Sequence, residues 1–274
     1  MSGSASPNPD PRSARLAAFA GLRSALAAHN PAASPAAFVP DGETLVRTGF
    51  SELDAALGGG FPRGTLATLE GPAGSGRSAI ASRLLARATA GGGLGALIES
   101  PNAEEGALYP PALAAAGVDL RRLLVVPAND SKAVARAADI LLRAAAFGVV
   151  VIPAIALRAA AWTRLASLTH RAGTLLVALG IEASDELRYF ASLRIRLRPE
   201  SVRWAGISGP FCALAAAGAE ATVLKHKRAA PGGRAHLARA TFESEGPAFV
   251  ALRERALPTA VPLQRVTSEP IIAV

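Results

Sequence analysis

Eight residues in the first third of the chain read Gly71-Pro72-Ala73-Gly74-Ser75-Gly76-Arg77-Ser78. They follow a short apolar run that ends at Glu70, and they open a helical pattern that begins at Arg77. In such a strand–loop–helix context, glycines let successive backbone N–H groups converge, and the helix N-terminus adds the positive end of its dipole. The sequence therefore predicts a loop shaped to surround a phosphate group.

One position departs from the phosphate-loop pattern G-x-x-x-x-G-K-S/T, because Arg77 stands where the lysine belongs. Lysine brings a compact charge to the outer phosphates, and the broader guanidinium does not fit the same slot. We expect no required cofactor and at most weak binding of ATP or ADP. The residues that would contact the nucleotide are Gly71, Gly74, Ser75, Gly76, Arg77 and Ser78.

Hydrolysis of ATP also needs a carboxylate that holds Mg²⁺ at the end of a neighbouring strand, and a residue that positions the attacking group. The strand predicted over residues 148–152 ends at Pro153, which has no metal-binding side chain. Glu99, Glu104 and Glu105 lie near the end of the strand predicted over residues 94–99, but none has an unambiguous register, and a solvated loop carboxylate is the simpler interpretation. The sequence therefore predicts no catalytic residue and no metal site.

The composition is that of a globular protein of 274 residues, with 50% apolar and 18% charged residues. One cysteine excludes an internal disulfide, and four histidines make a Cys/His metal site unfavourable. No apolar run reaches the roughly 18–20 residues of a spanning helix. No signal peptide pattern is visible. We therefore expect a cytoplasmic protein that makes no membrane contact.

The net charge of +8 is concentrated in the C-terminal third, where residues 188–255 carry twelve basic and five acidic side chains. Apolar residues alternate there with Arg194, Arg196 and Arg198. This row of guanidinium groups fits either contact with nucleic acid or a solvated strand face that discourages edge pairing. Arginine dominates the basic residues throughout, and only Lys132, Lys225 and Lys227 are lysines.

Strand and helix patterns alternate from residue 45 to residue 180, and strands without intervening helices follow. The order predicts an α/β fold, with a mostly parallel central sheet flanked by helices and an antiparallel C-terminal edge. We divide the chain into three parts. Residues 1–44 form a disordered end, an arm helix and a linker; residues 45–257 form the core; residues 258–274 form a proline-containing tail.

The arm helix predicted over residues 11–28 carries an apolar stripe. Such a stripe is buried either on the chain's own core or on another subunit. Its members are Leu16, Phe19, Leu22 and Leu26.

Several motifs stand in the order found in RecA recombinases, and the chain resembles that family over residues 48–246. They are residues 48–64, the loop 71–78, residues 117–124, residues 187–194 and residues 225–231. The resemblance implies a RecA-like P-loop fold. The gaps around the last parallel strands are too short for the two DNA-gripping loops of recombinases, and Gly180 or Ile181 falls where the family senses the γ-phosphate.

The resemblance also implies a subunit-facing surface. Lys225 and Lys227 match the family's Lys-x-Lys turn, whose lysines reach the ATP of the neighbouring subunit, although an exposed basic turn is the simpler alternative. The arm helix resembles the segment that recombinases dock on an adjacent subunit.

Residues 109–126 resemble the ImuA family of degenerate RecA relatives. That resemblance implies a non-catalytic adaptor in SOS mutagenesis, induced by DNA damage, and in translesion DNA synthesis. Its implied partners are RecA, an ImuB-like inactive Y-family polymerase and an error-prone replicative polymerase. Inhibition or remodelling of the RecA filament is the expected effect, with weak or indirect DNA contact.

Two alternatives stay open at this point. One is an active, DNA-stimulated RecA-like ATPase in DNA repair that uses Arg77 and a loop glutamate. The other is a DNA-binding module built on the row of Arg194, Arg196 and Arg198.

Overall fold

The computed structural model describes residues 44–101, 108–205, 213–228 and 231–240. The predicted arm helix, the proline-containing tail, Glu104 and Glu105 lie outside these residues. Two short strands, β1 (Leu45–Val46) and β2 (Phe61–Pro62), pair with each other and enclose helix α1 (Ser51–Ala56). They lead into strand β3 (Leu66–Glu70), which lies near the middle of the main sheet.

Strands and helices then alternate as the sequence predicts. The elements are α2 (Arg77–Thr89), β4 (Gly95–Glu99), α3 (Pro110–Ala115), β5 (Leu123–Pro127), α4 (Ser131–Ala144), β6 (Val149–Pro153), α5 (Ala159–Ala172) and β7 (Leu175–Gly180). Ordinary local signals set several boundaries. The Asp130 side chain accepts a hydrogen bond from the Ala133 N–H and starts α4, and Gly173 ends α5 in the left-handed conformation.

The main sheet has eight strands in the order β10-β9-β8-β3-β7-β6-β4-β5. Its last three members along the chain are β8 (Leu193–Ala205), β9 (Ala213–His226) and β10 (Arg234–Ala240). The six strands from β8 to β5 are parallel, whereas β9 and β10 add antiparallel pairs at one side. The predicted fold class, with its antiparallel C-terminal edge, is confirmed.

Two details of the prediction are wrong. A short helix, α6 (Asp185–Phe190), joins β7 to β8, where the sequence reading expected no helix after residue 180. The Ser184 hydroxyl caps it by accepting a hydrogen bond from the Leu187 N–H, and Leu187 is fully buried. In addition, β8 is an internal strand between β3 and β9, so its arginines do not lie on a sheet edge.

Apolar side chains cover both faces of the sheet. On one face α1 packs on β10 and α2 packs on β4, β6 and β7, and the apolar cluster continues over β8 and β9. On the other face α4, α5 and α6 form a second apolar cluster with the parallel strands. Strand β6 is buried along its whole length because helices cover both of its faces. Trp162 of α5 is fully buried in the second cluster, so it belongs to the core. Among the described residues, no helix is long and apolar enough to cross a membrane.

Candidate functional site

The glycine-rich loop connects β3 to α2 at the carboxyl end of the sheet. Gly74 and Gly76 adopt the left-handed conformation, with φ values of 77° and 89°, and Gly76 directly precedes the first residue of α2. The sequence predicted this strand–loop–helix arrangement, and the structure has it. The backbone therefore keeps the curvature that surrounds a phosphate in proteins that bind one.

Gly71 fixes the start of the loop against both neighbouring strands. Its N–H donates to the carbonyl oxygen of Gly180 at the end of β7, over 3.1 Å. On the other side, a Cβ at this position would collide with the carbonyl oxygen of Leu197 in β8 and would lie 2.7 Å from the Ser75 Oγ. Only glycine fits here without a backbone shift, because no side chain has room.

Arg77 closes the loop on itself. Its side chain is buried, with 4% of the residue exposed, and its Nη1 donates to the carbonyl oxygen of Gly71. The guanidinium of the seventh loop residue thereby binds the first. The positive charge that a phosphate loop directs at its ligand is used inside the protein.

Ser75 is enclosed by the same closure. The residue is fully buried, and its Oγ is shielded from solvent with no hydrogen-bond partner among the described residues. A buried hydroxyl of this kind costs free energy in the absence of a partner. The loop therefore encloses this group and does not present it to a ligand.

Two of the strand ends beside the loop, those of β6 and β7, offer no side chain for a metal or a γ-phosphate. Pro153 ends β6 and is buried. Gly180 ends β7, and a Cβ there would lie 2.5 Å from the Cβ of Ala154, so this position has no room for a polar side chain. Among the described residues, no group of three His, Cys, Asp or Glu side chains is placed to hold a metal ion. The ends of β6 and β7 therefore supply no carboxylate for magnesium beside the loop.

Glu99, the described candidate for a general base, ends β4, three strands away from β3. At about 4.8 Å per strand the separation is about 14 Å. Its Oε1 accepts a hydrogen bond from the Leu108 N–H over 2.9 Å. This carboxylate therefore binds the backbone at Leu108, just before α3.

The sequence analysis missed Glu70, the last residue of β3. Its side chain is 2% exposed and lies against Arg194 of β8, with Nε to Oε1 at 2.9 Å and Nη2 to Oε2 at 3.0 Å. The Thr68 hydroxyl also donates to Oε1, over 2.8 Å. The sequence offered one signal: an acidic residue ends a buried strand, and another strand carries an arginine of opposite charge.

This buried pair sets the charge of Glu70. Burial raises the pKa of the carboxyl, but hydrogen bonds from Arg194, Thr68 and the Ala183 backbone outweigh it, together with the charge of Arg194. The pKa of Glu70 is therefore below its usual value. The carboxylate is ionised at neutral pH and neutralises Arg194 immediately before the loop.

The arginine row is consequently divided. Arg194 is only 15% exposed and paired with Glu70, whereas Arg196 is half-buried and Arg198 is exposed. In the β8–β9 register these two lie opposite Thr222 and Glu220. The exposed face around them is mixed in charge, because it also carries the contacts Arg234–Glu220 and His236–Glu200.

The two lysines of the basic turn have different roles in the structure. The Lys225 ammonium donates to the carbonyl oxygens of Arg188 and Tyr189, over 2.9 and 2.8 Å, and so caps the C-terminal end of α6. Burial lowers the pKa of Lys225, and the charges of Lys227 and Arg194 add to that effect. Lys227 is exposed, and its backbone N–H donates to the Ser192 carbonyl oxygen over 3.0 Å.

Fold and loop together define a RecA-like α/β protein. Residues 41–165 match the family model of the RecA N-terminal domain. Protein RecA of Picosynechococcus sp. (strain ATCC 27264 / PCC 7002 / PR-6) is 38% identical over 111 residues, which cover 40% of this chain and 31% of that protein. Protein RecA of Mycobacterium marinum (strain ATCC BAA-535 / M) is 38% identical over 114 residues, or 41% and 32%. The match thus spans about a third of the length of these relatives.

A crystal structure of the RadB recombinase shares the fold. It superposes with a TM-score of 0.53 and 20% sequence identity, over 70% of this chain and 94% of that one. The sequence similarity to RecA therefore lies in the first half of the core, and the likeness in fold extends across most of the chain.

Replacing Arg194 by methionine should destabilise the protein by about 3–5 kcal/mol at pH 7, because it leaves the Glu70 carboxylate buried without its cation. In this variant only the hydrogen bonds from Thr68 and the Ala183 backbone oppose the effect of burial, so the pKa of the carboxyl rises relative to the wild type. The carboxyl then accepts a proton as the pH falls. The difference in unfolding free energy between the wild type and the variant therefore becomes smaller towards about pH 4. Urea unfolding at both pH values measures this.

The matched control is Glu70→Gln combined with Arg194→Met, which removes both charges. It should recover most of the lost stability and show a smaller change with pH. Equal unfolding free energies for the wild type and Arg194→Met at pH 7 would show that the pair does not stabilise the base of the loop.

Arg77→Lys should raise the affinity for ADP and ATP by about tenfold, because lysine leaves the Gly71 carbonyl and restores a compact charge inside the loop. Titration of a fluorescent ADP analogue into the wild type and the variant measures it. The control is Arg83→Lys, an exposed arginine on the same helix, which should bind as the wild type does. Unchanged affinity in Arg77→Lys contradicts the closure of the loop by Arg77.

Proposed function

We propose that this protein is a non-catalytic RecA-like adaptor of the ImuA type, acting in SOS mutagenesis after DNA damage and in translesion DNA synthesis. It binds RecA, mutasome polymerase subunits or both, and it inhibits or remodels the RecA filament. The observation that carries the proposal is the Arg77 guanidinium bound to the Gly71 carbonyl oxygen, in a core that otherwise keeps the RecA-like arrangement.

The absence of catalysis in the proposal rests on three positions around one loop. The Arg77 side chain donates to the Gly71 carbonyl oxygen of the loop itself. Pro153 supplies no magnesium ligand, and the position of Gly180 has no room for a side chain that would sense the γ-phosphate. Phosphoryl transfer depends on charge placed around the outer phosphates and the metal. A site without these groups has lost the electrostatic part of the reaction, and any nucleotide it retains is bound weakly.

The adaptor role rests on what the core keeps. Strand order, the position of α2 and the basic turn after β9 are those expected of a subunit that can meet a RecA-like neighbour. Lys227 is exposed at that turn, and Tyr189 beside it is 75% exposed. A subunit that docks on a filament end and cannot turn over ATP would block further growth there.

Direct DNA contact has a minor part in the proposal. Arg194 is committed to Glu70, and acidic side chains lie on the same face as Arg196 and Arg198. Phosphate contacts need cations that are free to displace counterions. We therefore assign the main binding energy to protein partners in the bacterial cytoplasm. The candidate contact residues on the predicted arm are Leu16, Phe19, Leu22 and Leu26. Besides RecA, the candidate partners are the inactive Y-family polymerase and the error-prone replicative polymerase.

The test follows phosphate release by RecA of the same organism, assembled on single-stranded DNA with ATP. Adding this protein at substoichiometric ratios should slow the release, and the protein alone with DNA should release none. Lys227→Glu should weaken the inhibition by about tenfold, because it reverses a charge at the contact. Lys132→Glu, an exposed lysine of α4, is the matched control and should inhibit as the wild type does.

Lys225 is unsuited to this experiment because its ammonium caps α6, so its loss disturbs the fold of the surface being tested. Inhibition that Lys227→Glu leaves intact would contradict the proposed interface. Unaltered RecA activity, together with DNA-stimulated phosphate release by the protein alone, would replace the adaptor by an active RecA-like ATPase.

A further inference from the structure

A cavity of about 300 Å³ opens at the amino edge of the sheet, beneath the basic turn. It lies between the first residues of β3 and β8, the C-terminal half of α5, and the end of β9. Strand β3 rises about 3.3 Å per residue, so its five residues separate this cavity from the phosphate loop by about 17 Å. The cavity is therefore a separate feature from the nucleotide-type site.

The floor of the cavity is apolar. Leu66 and Leu193, the first residues of β3 and β8, are 2% and 1% exposed, and Phe190 and Ala166 line the walls beside them. A volume of this size is at the lower end for ligand sites and suits a single large side chain. An apolar floor favours a hydrocarbon or aromatic group over a phosphate, because a phosphate would lose its hydration there.

The rim of the cavity is basic. Lys227 and Arg228 are exposed, and neither is in an ion pair with another described residue. His170 completes the rim from α5, and none of the described lining residues is acidic. A ligand that places an apolar group in the cavity would therefore meet cations on the rim, which favours negative charge beside that group.

The rim is also held in place. The Lys227 N–H donates to the Ser192 carbonyl oxygen, and the Arg228 N–H donates to the Nδ1 of His226 over 3.1 Å. These bonds fix the turn on the start of β8, so the two side chains project from a backbone that needs little reorganisation on binding. A preorganised rim lowers the ordering cost of a short ligand.

We propose that this cavity binds an acidic peptide segment of a partner protein, with one large apolar side chain in the cavity and flanking carboxylates on Lys227 and Arg228. This inference specifies which kind of partner segment the adaptor would bind, and it rests on the proposed function. The partner segment would be short and extended, since the cavity takes a single anchor side chain.

The experiment titrates fluorescein-labelled peptides into the full chain and follows fluorescence anisotropy. Each peptide has a central phenylalanine, leucine, isoleucine or valine, flanked on each side by two acidic residues. One control peptide has serine at the centre, and another has glutamine in place of the acidic residues. At least one acidic apolar peptide should bind about tenfold more tightly than either control. Failure of all of them to exceed the controls overturns the proposal.

Two variants of the protein locate the binding. Ala166→Trp fills the cavity and leaves the cations intact. The double variant Lys227→Glu with Arg228→Glu reverses the charge of the rim. Each variant should lower the affinity for the peptide by about tenfold. Lys132→Glu with Arg136→Glu carries the same charge change on an exposed face of α4 and should bind normally. Thermal unfolding checks that each variant is folded. Peptide affinity that survives in a folded Ala166→Trp variant overturns the proposal.

The assay separates this inference from the proposed function. If the peptides bind and need the cavity, but the protein leaves RecA unaffected, the peptide site is supported and the RecA adaptor is contradicted. Inhibition of RecA without any peptide binding supports the RecA adaptor and contradicts the peptide site in the cavity. A single-stranded oligonucleotide that binds through the same rim, where the peptides do not, would assign the surface to nucleic acid and overturn the peptide proposal.

Discussion

The Arg77 guanidinium donates to the carbonyl oxygen of Gly71 across the loop that follows β3. A phosphate loop depends on backbone N–H groups and one lysine that all point to an empty centre. Here the side chain at the lysine position donates to the loop's own Gly71 carbonyl oxygen. The neighbouring strand ends are consistent with this state, since Pro153 and Gly180 supply no polar group. We propose that this hydrogen bond, together with Pro153 and Gly180 at the neighbouring strand ends, separates the RecA-like scaffold from the RecA reaction.

A second set of contacts connects the base of the loop to the basic turn. Glu70 holds Arg194, Arg194 lies opposite Lys225 in the β8–β9 register, and Lys225 caps α6 through two carbonyl oxygens. The short segment between β7 and β8 is thereby fixed as a compact helix. The contacts fix the segment beside the basic turn, where we propose the surface for partners, and they leave little room for a long loop between β7 and β8.

Much of the fold could be predicted because its signals are local. The strand–loop–helix at residues 65–89, the buried run of β6 and the glycine after α5 are all readable from apolar periodicity and turn residues. The helix α6 escaped prediction because six residues are too few to show a helical period, and only the Ser184 cap marked it. The short helix also depends on tertiary contacts through Leu187 and Lys225, which no local pattern contains.

The site was less accessible to sequence reasoning. The substitution at Arg77 was visible, but the direction of its side chain was not, since this depends on the carbonyl group that it meets. The arginine row illustrates the same limit: alternation shows that Arg194, Arg196 and Arg198 share a face, but only the packing of β8 beside β3 shows that Glu70 neutralises the first of them. The cavity under the basic turn joins four separate parts of the chain, so spacing along the sequence cannot reveal it.

The most direct test of this account is a single-turnover measurement of γ-phosphate release, with protein in excess over ATP and with single-stranded DNA present or absent. Gly76→Val serves as the reference, because valine does not tolerate the left-handed conformation of Gly76 and distorts the loop. The account predicts that the wild type releases phosphate no faster than this variant, with or without DNA. A DNA-stimulated release that is lost in Gly76→Val would contradict it, because the closed loop would then be a working catalytic site.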